Sequence, residues 1–233
     1  MQPGERVGWN SLPQMMLELA AARQAQPMLR YWRDKAWQRV SWGEFAHRVA
    51  AVAAGLRAAG IAPGDRVLLV SENRPEFVIA DTAIMAIGAV TVPTYTTNTS
   101  SDHAHILSDS GARAAIVATA ALARKVVGAA TSGLDLLVSM EPLPALPGPR
   151  LLDWSALEST PADLAMLRAE VAEIPPGRLA CLIYTSGTGG APKGVMLPHR
   201  AMLANREGVA AIADRLHLQA ECYLSFLPLS HSY

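Results

Sequence analysis

The sequence predicts an α/β protein built on parallel-sheet layers with flanking helices. Three observations carry that reading. Strand-like and helix-like segments alternate with short joints between residues 41 and 118. Hydrophobic residues make up 51% of the 233-residue chain and charged ones 17%, which leaves ample apolar surface to offset the entropy of ordering. A strongly apolar run, Leu179 to Tyr184, leads straight into a glycine-rich segment.

Each element has a local cause. Ser41-Trp42-Gly43-Glu44 is a capping box, in which the serine hydroxyl takes one orphan amide and Glu44 reaches back to another. Phe45, Val49, Val52 and Leu56 then recur at helical spacing, and Gly60 supplies a left-handed stop. Pro63-Gly64-Asp65 is a turn, and Val67 to Val70 a short buried strand. Pro75 opens a second helix that runs to about Ile87 and breaks at Gly88. Ala89 to Val92 is the next strand. Ser101 or Asp102 is expected to cap a third helix ending near Gly111, with Ala114 to Ala118 as the strand after it. Glu141 to Pro149 holds four prolines and a glycine and reads as a surface loop. A helix over Asp163 to Ala172 ends at Pro175-Pro176-Gly177. At 233 residues the length fits one large domain or two small ones.

Composition narrows the partners. The chain has 20 basic and 20 acidic side chains and no net charge, which argues against nucleic acid, since phosphate backbones need a basic excess. Only three of the basic residues are lysines: Lys35, Lys125 and Lys193. Two cysteines, Cys181 and Cys222, form no disulfide framework and have no metal-ligand spacing. Both sit in apolar runs and read as small buried hydrophobes. The first ten residues carry Glu5 and Arg6 and no apolar core of a signal peptide. The apolar stretch from Ala83 to Val92 is about half a membrane span. These features point to a cytoplasmic chain with no transmembrane segment. Peripheral membrane contact and oligomeric state stay open.

The segment from residue 184 to 199 reads Tyr-Thr-Ser-Gly-Thr-Gly-Gly-Ala-Pro-Lys-Gly-Val-Met-Leu-Pro-His. A buried strand thus feeds a loop with hydroxyls at Thr185, Ser186 and Thr188, glycines at 187, 189, 190 and 194, and one lysine, Lys193. Glycine lets backbone amides approach an anion, hydroxyls donate to phosphate oxygens, and the ammonium adds a charge-assisted contact. That is what a polyphosphate cradle requires. The pattern is not a Walker A loop, because Pro192 and Gly194 flank the lysine where Gly and Ser/Thr are needed. It also lacks the third glycine of a dinucleotide fingerprint.

This run resembles the signature of the adenylate-forming enzymes: acyl-CoA synthetases, luciferases and the adenylation domains of peptide synthetases. Their pattern is Tyr-Thr-Ser-Gly-Thr-Thr-Gly-x-Pro-Lys-Gly-Val followed by His. Only Gly189 departs from it, standing where the second threonine of the pair belongs. Glu72-Asn73-Arg74-Pro75-Glu76-Phe77 and Gly88-Ala89-Val90-Thr91-Val92-Pro93 resemble earlier segments of the same family. The run Ser225 to Tyr233 is most similar to the long-chain fatty acyl-CoA synthetase branch.

The resemblance implies an activity. A carboxylic acid, in this branch a fatty acid, is activated with ATP and Mg2+ to an acyl-adenylate, and the acyl group passes to coenzyme A. Thr185, Ser186, Gly187, Thr188, Gly189 and Gly190 would cradle the β- and γ-phosphates, and Lys193 would follow the departing pyrophosphate. Thr188 would serve the metal indirectly. His231 would orient the acyl carboxylate and the α-phosphate; an attacking carboxylate is already ionised and needs no base. Gly189 removes one donor from the cradle, an expected loss on the order of 1 kcal/mol. Arg178 stands where the family usually has an acid, and no role is carried over to it.

The resemblance also implies a division, with residues 1–174 a first subdomain of a large N-terminal domain and 175–233 the start of a second. The C-terminal domain would be absent, and the 233 residues alone are expected to be inactive. Two rival readings remain. One is another adenylating enzyme: an aryl-CoA ligase, a fatty acyl-AMP ligase or a peptide-synthetase adenylation domain. The other is a non-catalytic nucleotide-binding module. Some weaker candidates read as bland. His103 and His105 lie about 200° apart on a helix and read as solvated rather than metal-binding. Lys125 likewise reads as solvated. The alternating aromatics and charges from Arg30 to Arg39 read as a hairpin with a wet face.

Overall fold

A computed structural model of the chain describes residues 8–130, 133–185, 191–217 and 222–231. Helix α1 (Leu12–Ala22) starts at Ser11, whose hydroxyl accepts from the Gln14 amide. Strands β1 (Pro27–Arg33) and β2 (Ala36–Ser41) form the expected hairpin. Its two-residue turn, Asp34-Lys35, has φ of 53° and 59°, the left-handed pair that matches the twist of the flanking strands. Helix α2 (Trp42–Ala58) opens on the Ser41–Glu44 capping box. Then come β3 (Arg66–Val70), α3 (Pro75–Ala86), β4 (Val90–Thr94), α4 (Ser100–Ser110), β5 (Ala114–Val117) and α5 (Ala120–Ala129). Strands β6 (Leu136–Ser139) and β7 (Arg150–Asp153) flank the proline-rich loop. Helices α6 (Trp154–Glu158) and α7 (Leu164–Ala172), strands β8 (Leu179–Thr185) and β9 (Lys193–Pro198), and helix α8 (His199–Arg215) complete the order.

The main sheet has the order β7-β6-β5-β3-β4-β8-β9. Every neighbouring pair is parallel except β8 and β9, which are antiparallel. Strand β8 joins β4 with Thr91 and Cys181 in register. The α/β class with a mostly parallel sheet and flanking helices is therefore what the chain adopts. The strands read as continuous apolar runs because both faces are covered. Val67 and Leu69 of β3 enter one core with Phe45, Val49, Leu56, Ile79 and Leu157, from α2, α3 and α6. Leu68 and Val70 point the other way, into a core with Ile106, Leu122 and Val126 of α4 and α5. The period-2 alternation of β3 thus feeds two separate cores.

Gly55 is where α2 meets α6. A β-carbon there would fall 2.7 Å from Leu157 Cδ2 and 3.0 Å from Leu157 Cα, so backbone as well as side chain stands in the way. Replacing a helical glycine by alanine normally gains up to about 1 kcal/mol. Overpacking typically costs about 1–3 kcal/mol, and here it wins. Gly55→Ala is expected to destabilise by about 1 kcal/mol, read as a lower urea midpoint at an unchanged slope. A higher midpoint would show that α6 yields.

Four local expectations are corrected. The third helix is capped by Thr99, not Ser101 or Asp102; Asp102 is instead the return partner of the capping box, accepting from the Thr99 amide. His103 is fully buried, and His105 bonds to a backbone carbonyl, so neither is a solvated helix residue. The Lys125 ammonium donates to Thr96 O and Asn98 O at 3.2 and 2.8 Å, bracing the loop after β4. Of the cysteines, Cys181 is buried as expected but Cys222 is exposed.

Candidate functional site

The carboxyl ends of β4 and β8 lie side by side, and a cleft of about 410 Å³ opens there. Its floor is apolar: Phe77 from α3, Pro93 from β4, Ile183 from β8 and Leu197 from β9. Four polar side chains line it: Thr185 at the end of β8, Asp81 from α3, Asn205 from α8 and His231 from the segment after α8. Crevices at the carboxyl ends of strands are where open α/β sheets bind ligands.

Two of the residues expected to act, Thr185 and His231, therefore share one cleft. Lys193 is brought close by the β8–β9 ladder, in which Thr185 and Lys193 are direct cross-strand partners. It is exposed and does not line the cleft itself. Ser186, Gly187, Thr188, Gly189 and Gly190 lie outside the described residues. The hairpin geometry has a sequence cause. Gly194 pairs with Tyr184, and a β-carbon there would fall 3.0 Å from the tyrosine ring, so glycine makes room for it.

The stems around residues 186–190 are tied to α4. Tyr184 Oη donates to Asp109 Oδ2 at 2.6 Å. Burial, then the bond to Asp109, pushes the phenol well above its ordinary range. His105 Nε2 lies 2.7 Å from Pro192 O. A carbonyl only accepts, so Nε2 carries the proton. The His105 and Tyr184 rings meet edge-on, 6.2 Å between centroids.

His231 is presented by an exposed strap to which Asn73 makes three hydrogen bonds. Asn73 Nδ2 donates to Ser225 O at 2.9 Å and Leu227 O at 2.7 Å, and Asn73 Oδ1 accepts from the Leu229 amide at 2.9 Å. The His231 amide closes a turn onto Pro228 O, and its ring lies 6.0 Å from that of Tyr95.

Sequence patterning alone misses Asp81. Burial pushes its carboxyl up to about 6, partly offset by the Thr91 hydroxyl, which favours the charged form. Its one signal is an acid alone in the apolar run of α3. Its neighbour Cys181 is pushed up to about 12 by burial and by the Asp81 charge, so the thiol stays protonated. It packs against Met202, with 3.8 Å between the sulfurs.

A mostly parallel sheet, a cleft at its carboxyl ends and a hairpin stem bearing Thr185 and Lys193 define an α/β ligand-binding architecture. The chain belongs to the AMP-binding enzyme family, whose model it matches over residues 17–233. It is 37% identical over 198 residues to the long-chain-fatty-acid–CoA ligase FadD15 of Mycobacterium tuberculosis, covering 85% of this chain and 33% of that one. It is also 32% identical over 202 residues to 4-coumarate–CoA ligase 5 of Oryza sativa subsp. japonica, covering 83% and 34%. The fold is that of the apo structure of Mycobacterium smegmatis MbtA, with a TM-score of 0.76 and 27% identity over 95% of this chain and 40% of that one. A benzoate CoA ligase from Burkholderia xenovorans LB400 shares the fold at a TM-score of 0.69, with 24% identity over 84% and 36% of the two chains. The chain thus spans about a third of the length of the curated relatives it matches. Among the described residues no helix is long and apolar enough to cross a membrane.

Proposed function

We propose that this chain carries the phosphate side of an AMP-forming acid–thiol ligase acting on a long-chain fatty acid. The observation that supports it best is the convergence of Thr185, Lys193 and His231 on one end of the sheet. Similarity to a fatty-acid ligase at 37% identity adds the acid class. ATP and coenzyme A would be co-substrates, and Mg2+ would enter on the nucleotide's phosphates. Residues 1–174 are proposed as a first α/β subdomain and 175–233 as the start of a second, although β8 and β9 extend the sheet of the first. The cytoplasm is the proposed location.

The chemistry needs little covalent help from the protein. An acyl carboxylate attacks the α-phosphorus in line, the bond to the bridging oxygen breaks, and pyrophosphate leaves with the electron pair. Catalysis is then positioning and charge neutralisation. The Thr185 hydroxyl would donate to a phosphate oxygen, with residues 186–190 completing the cradle and Thr188 near the metal. The Lys193 ammonium would neutralise the pyrophosphate as it departs. The imidazole of His231 would orient the carboxylate. The apolar cleft floor would keep bulk water from the mixed anhydride.

Lys193→Ala tests the reading. A charge-assisted bond to phosphate is worth about 1.5–3 kcal/mol, so MgATP affinity should fall by about 10- to 100-fold. Isothermal titration reads it, with Lys35→Asn in the hairpin turn as a control that keeps wild-type affinity. Equal affinity in Lys193→Ala and wild type would refute the assignment. Similarity to 4-coumarate–CoA ligase 5 favours a second acid class. A panel of fatty and aryl acids, scored by pyrophosphate release from the whole ligase, separates the two.

A further inference from the structure

We propose that His105 and Asp109 of α4 are positioning residues, which clamp the two stems around residues 186–190 and so fix where Thr185 stands relative to Lys193. The consequence for phosphate binding rests on the function proposed above; the clamp itself rests on geometry alone.

The two side chains stand four residues apart on α4, on one face of the helix. Asp109 takes the Tyr184 phenol at 2.6 Å, and His105 donates to Pro192 O at 2.7 Å. Each clamped residue is one position before a residue assigned to phosphate: Tyr184 before Thr185, and Pro192 before Lys193. The contacts close a circuit. It runs from His105 to Pro192, across the β9–β8 ladder to Tyr184, and back through Asp109 to α4. The edge-on packing of the His105 and Tyr184 rings fills its centre.

Pro192 shows why the clamp is needed at that stem. Proline has no backbone N–H, so Pro192 itself has no amide to donate to a neighbouring strand. His105 supplies an anchor from a third element instead. On the other stem, Tyr184 is 8% exposed, and a buried phenol needs a partner. Any acceptor would satisfy it; what Asp109 adds is attachment to the same helix that holds Pro192. A displacement of either stem by about 1 Å is enough to spoil a phosphate contact.

The test uses the 233-residue chain and exploits its three lysines, Lys35, Lys125 and Lys193. A lysine-specific endoproteinase can cut at only these positions. His105→Phe keeps an aromatic edge and removes the donor; Asp109→Ala removes the acceptor. Both are expected to speed cleavage after Lys193 by about tenfold relative to cleavage after Lys35. Both should weaken binding of inorganic tripolyphosphate by about tenfold, as expected for one lost bond. His105→Gln, which keeps a donor, and Asp109→Asn, which keeps an acceptor, should restore most of both. His105→Phe is expected to keep a thermal midpoint close to wild type, while Asp109→Ala, which leaves the buried Tyr184 phenol without its acceptor, is expected to lower it by a few degrees.

If cleavage rises equally at all three lysines, or the conservative variants rescue nothing, the two residues are merely structural and the proposal falls. Unchanged cleavage after Lys193 in both disruptive variants also overturns it. If wild type fails to bind tripolyphosphate while cleavage after Lys193 still responds, the clamp stands and the phosphate reading falls.

Discussion

Acidification from pH 6.5 towards 4 is expected to destabilise the chain steeply, through two buried histidines. His103 is fully buried, and neither ring nitrogen has a hydrogen-bond partner among the described residues. Burial pushes it down to about 4, with the Lys125 charge acting in the same direction and Asp102 opposing. His199, only 1% exposed, is pushed down to about 4 by burial and the Arg178 charge. Its Nδ1 accepts from the Leu12 amide at 3.4 Å and needs its lone pair to do so.

Both folded values lie below the ordinary 6.5, so between 6.5 and 4 the unfolded chain binds more protons. The stability the rings contribute is therefore complete above 6.5 and is lost as pH falls through that window. The gap is worth about 3 kcal/mol for each ring, against a total stability of about 5–15 kcal/mol. Asp81 works the other way. Its folded value, about 6, lies above the ordinary 3.8, so its contribution is present at low pH and lost as pH rises through 6. At about 3 kcal/mol it offsets one histidine but not two. A net fall of about 3 kcal/mol should appear as a lower urea midpoint at about pH 4.5 than at about pH 7. His103→Leu should be at least as stable as wild type at neutral pH, because neither nitrogen leaves a broken bond. It should also flatten the acid limb. A limb as steep as wild type in that variant would remove His103 from the account.

Features written into a few consecutive residues are legible in the sequence itself. The Ser41–Glu44 capping box, Pro75 at a helix start, and the glycines at 60, 88 and 111, all with positive φ, carry their own geometry. The hairpin around Lys35 is legible too, although the left-handed pair at its tip is not. Residues 99–102 show where local reading fails. All four can cap a helix, and the choice falls to Thr99 because Asp102 lies three residues on and can reach back.

Long-range partners leave no local trace. The rings of His103 and His105 do diverge, as helical spacing requires. Yet one is buried beneath α4, and the other meets the stem of β9, some 87 residues away in sequence. Lys125 answers carbonyls of the turn after β4. Nothing in the residues around Asp81 says that the β4–β8 seam sets Thr91 and Cys181 beside it. Of the candidate site, the glycine-rich stem and His231 are proposed from the sequence alone, whereas the residues packed around them, Asn73, His105 and Asp109, leave no signal in it.

Asn73→Ala is expected to release the strap that presents His231. The segment from Cys222 to Pro228 is exposed and has almost no core of its own, so burial does little to hold it. One amide group ties three of its backbone groups down. Asn73 gives two donors to Ser225 O and Leu227 O and takes the Leu229 amide on its oxygen, so three strap residues hang from one side chain. An asparagine is the right size for this, because its donor and acceptor sit side by side and can engage backbone groups of both kinds. Aspartate would keep the acceptor and turn both carbonyls against a negative charge, so Asn73→Asp should be no milder than alanine.

At about 1 kcal/mol for each net hydrogen bond, the strap loses about 3 kcal/mol of local stability, or about a hundredfold in its opening equilibrium. Hydrogen exchange at the Leu229 and His231 amides should quicken by that factor, while exchange in β3 and β5 stays unchanged. The global urea midpoint should barely move, because the strap contributes little to either core. On the ligase reading proposed above, the same variant in the whole protein should lower turnover more than acid affinity, since His231 would still be present but no longer held at the cleft. Wild-type exchange at Leu229 would show that Ser230, which is 4% exposed, and the Tyr95–His231 ring contact hold the strap without Asn73.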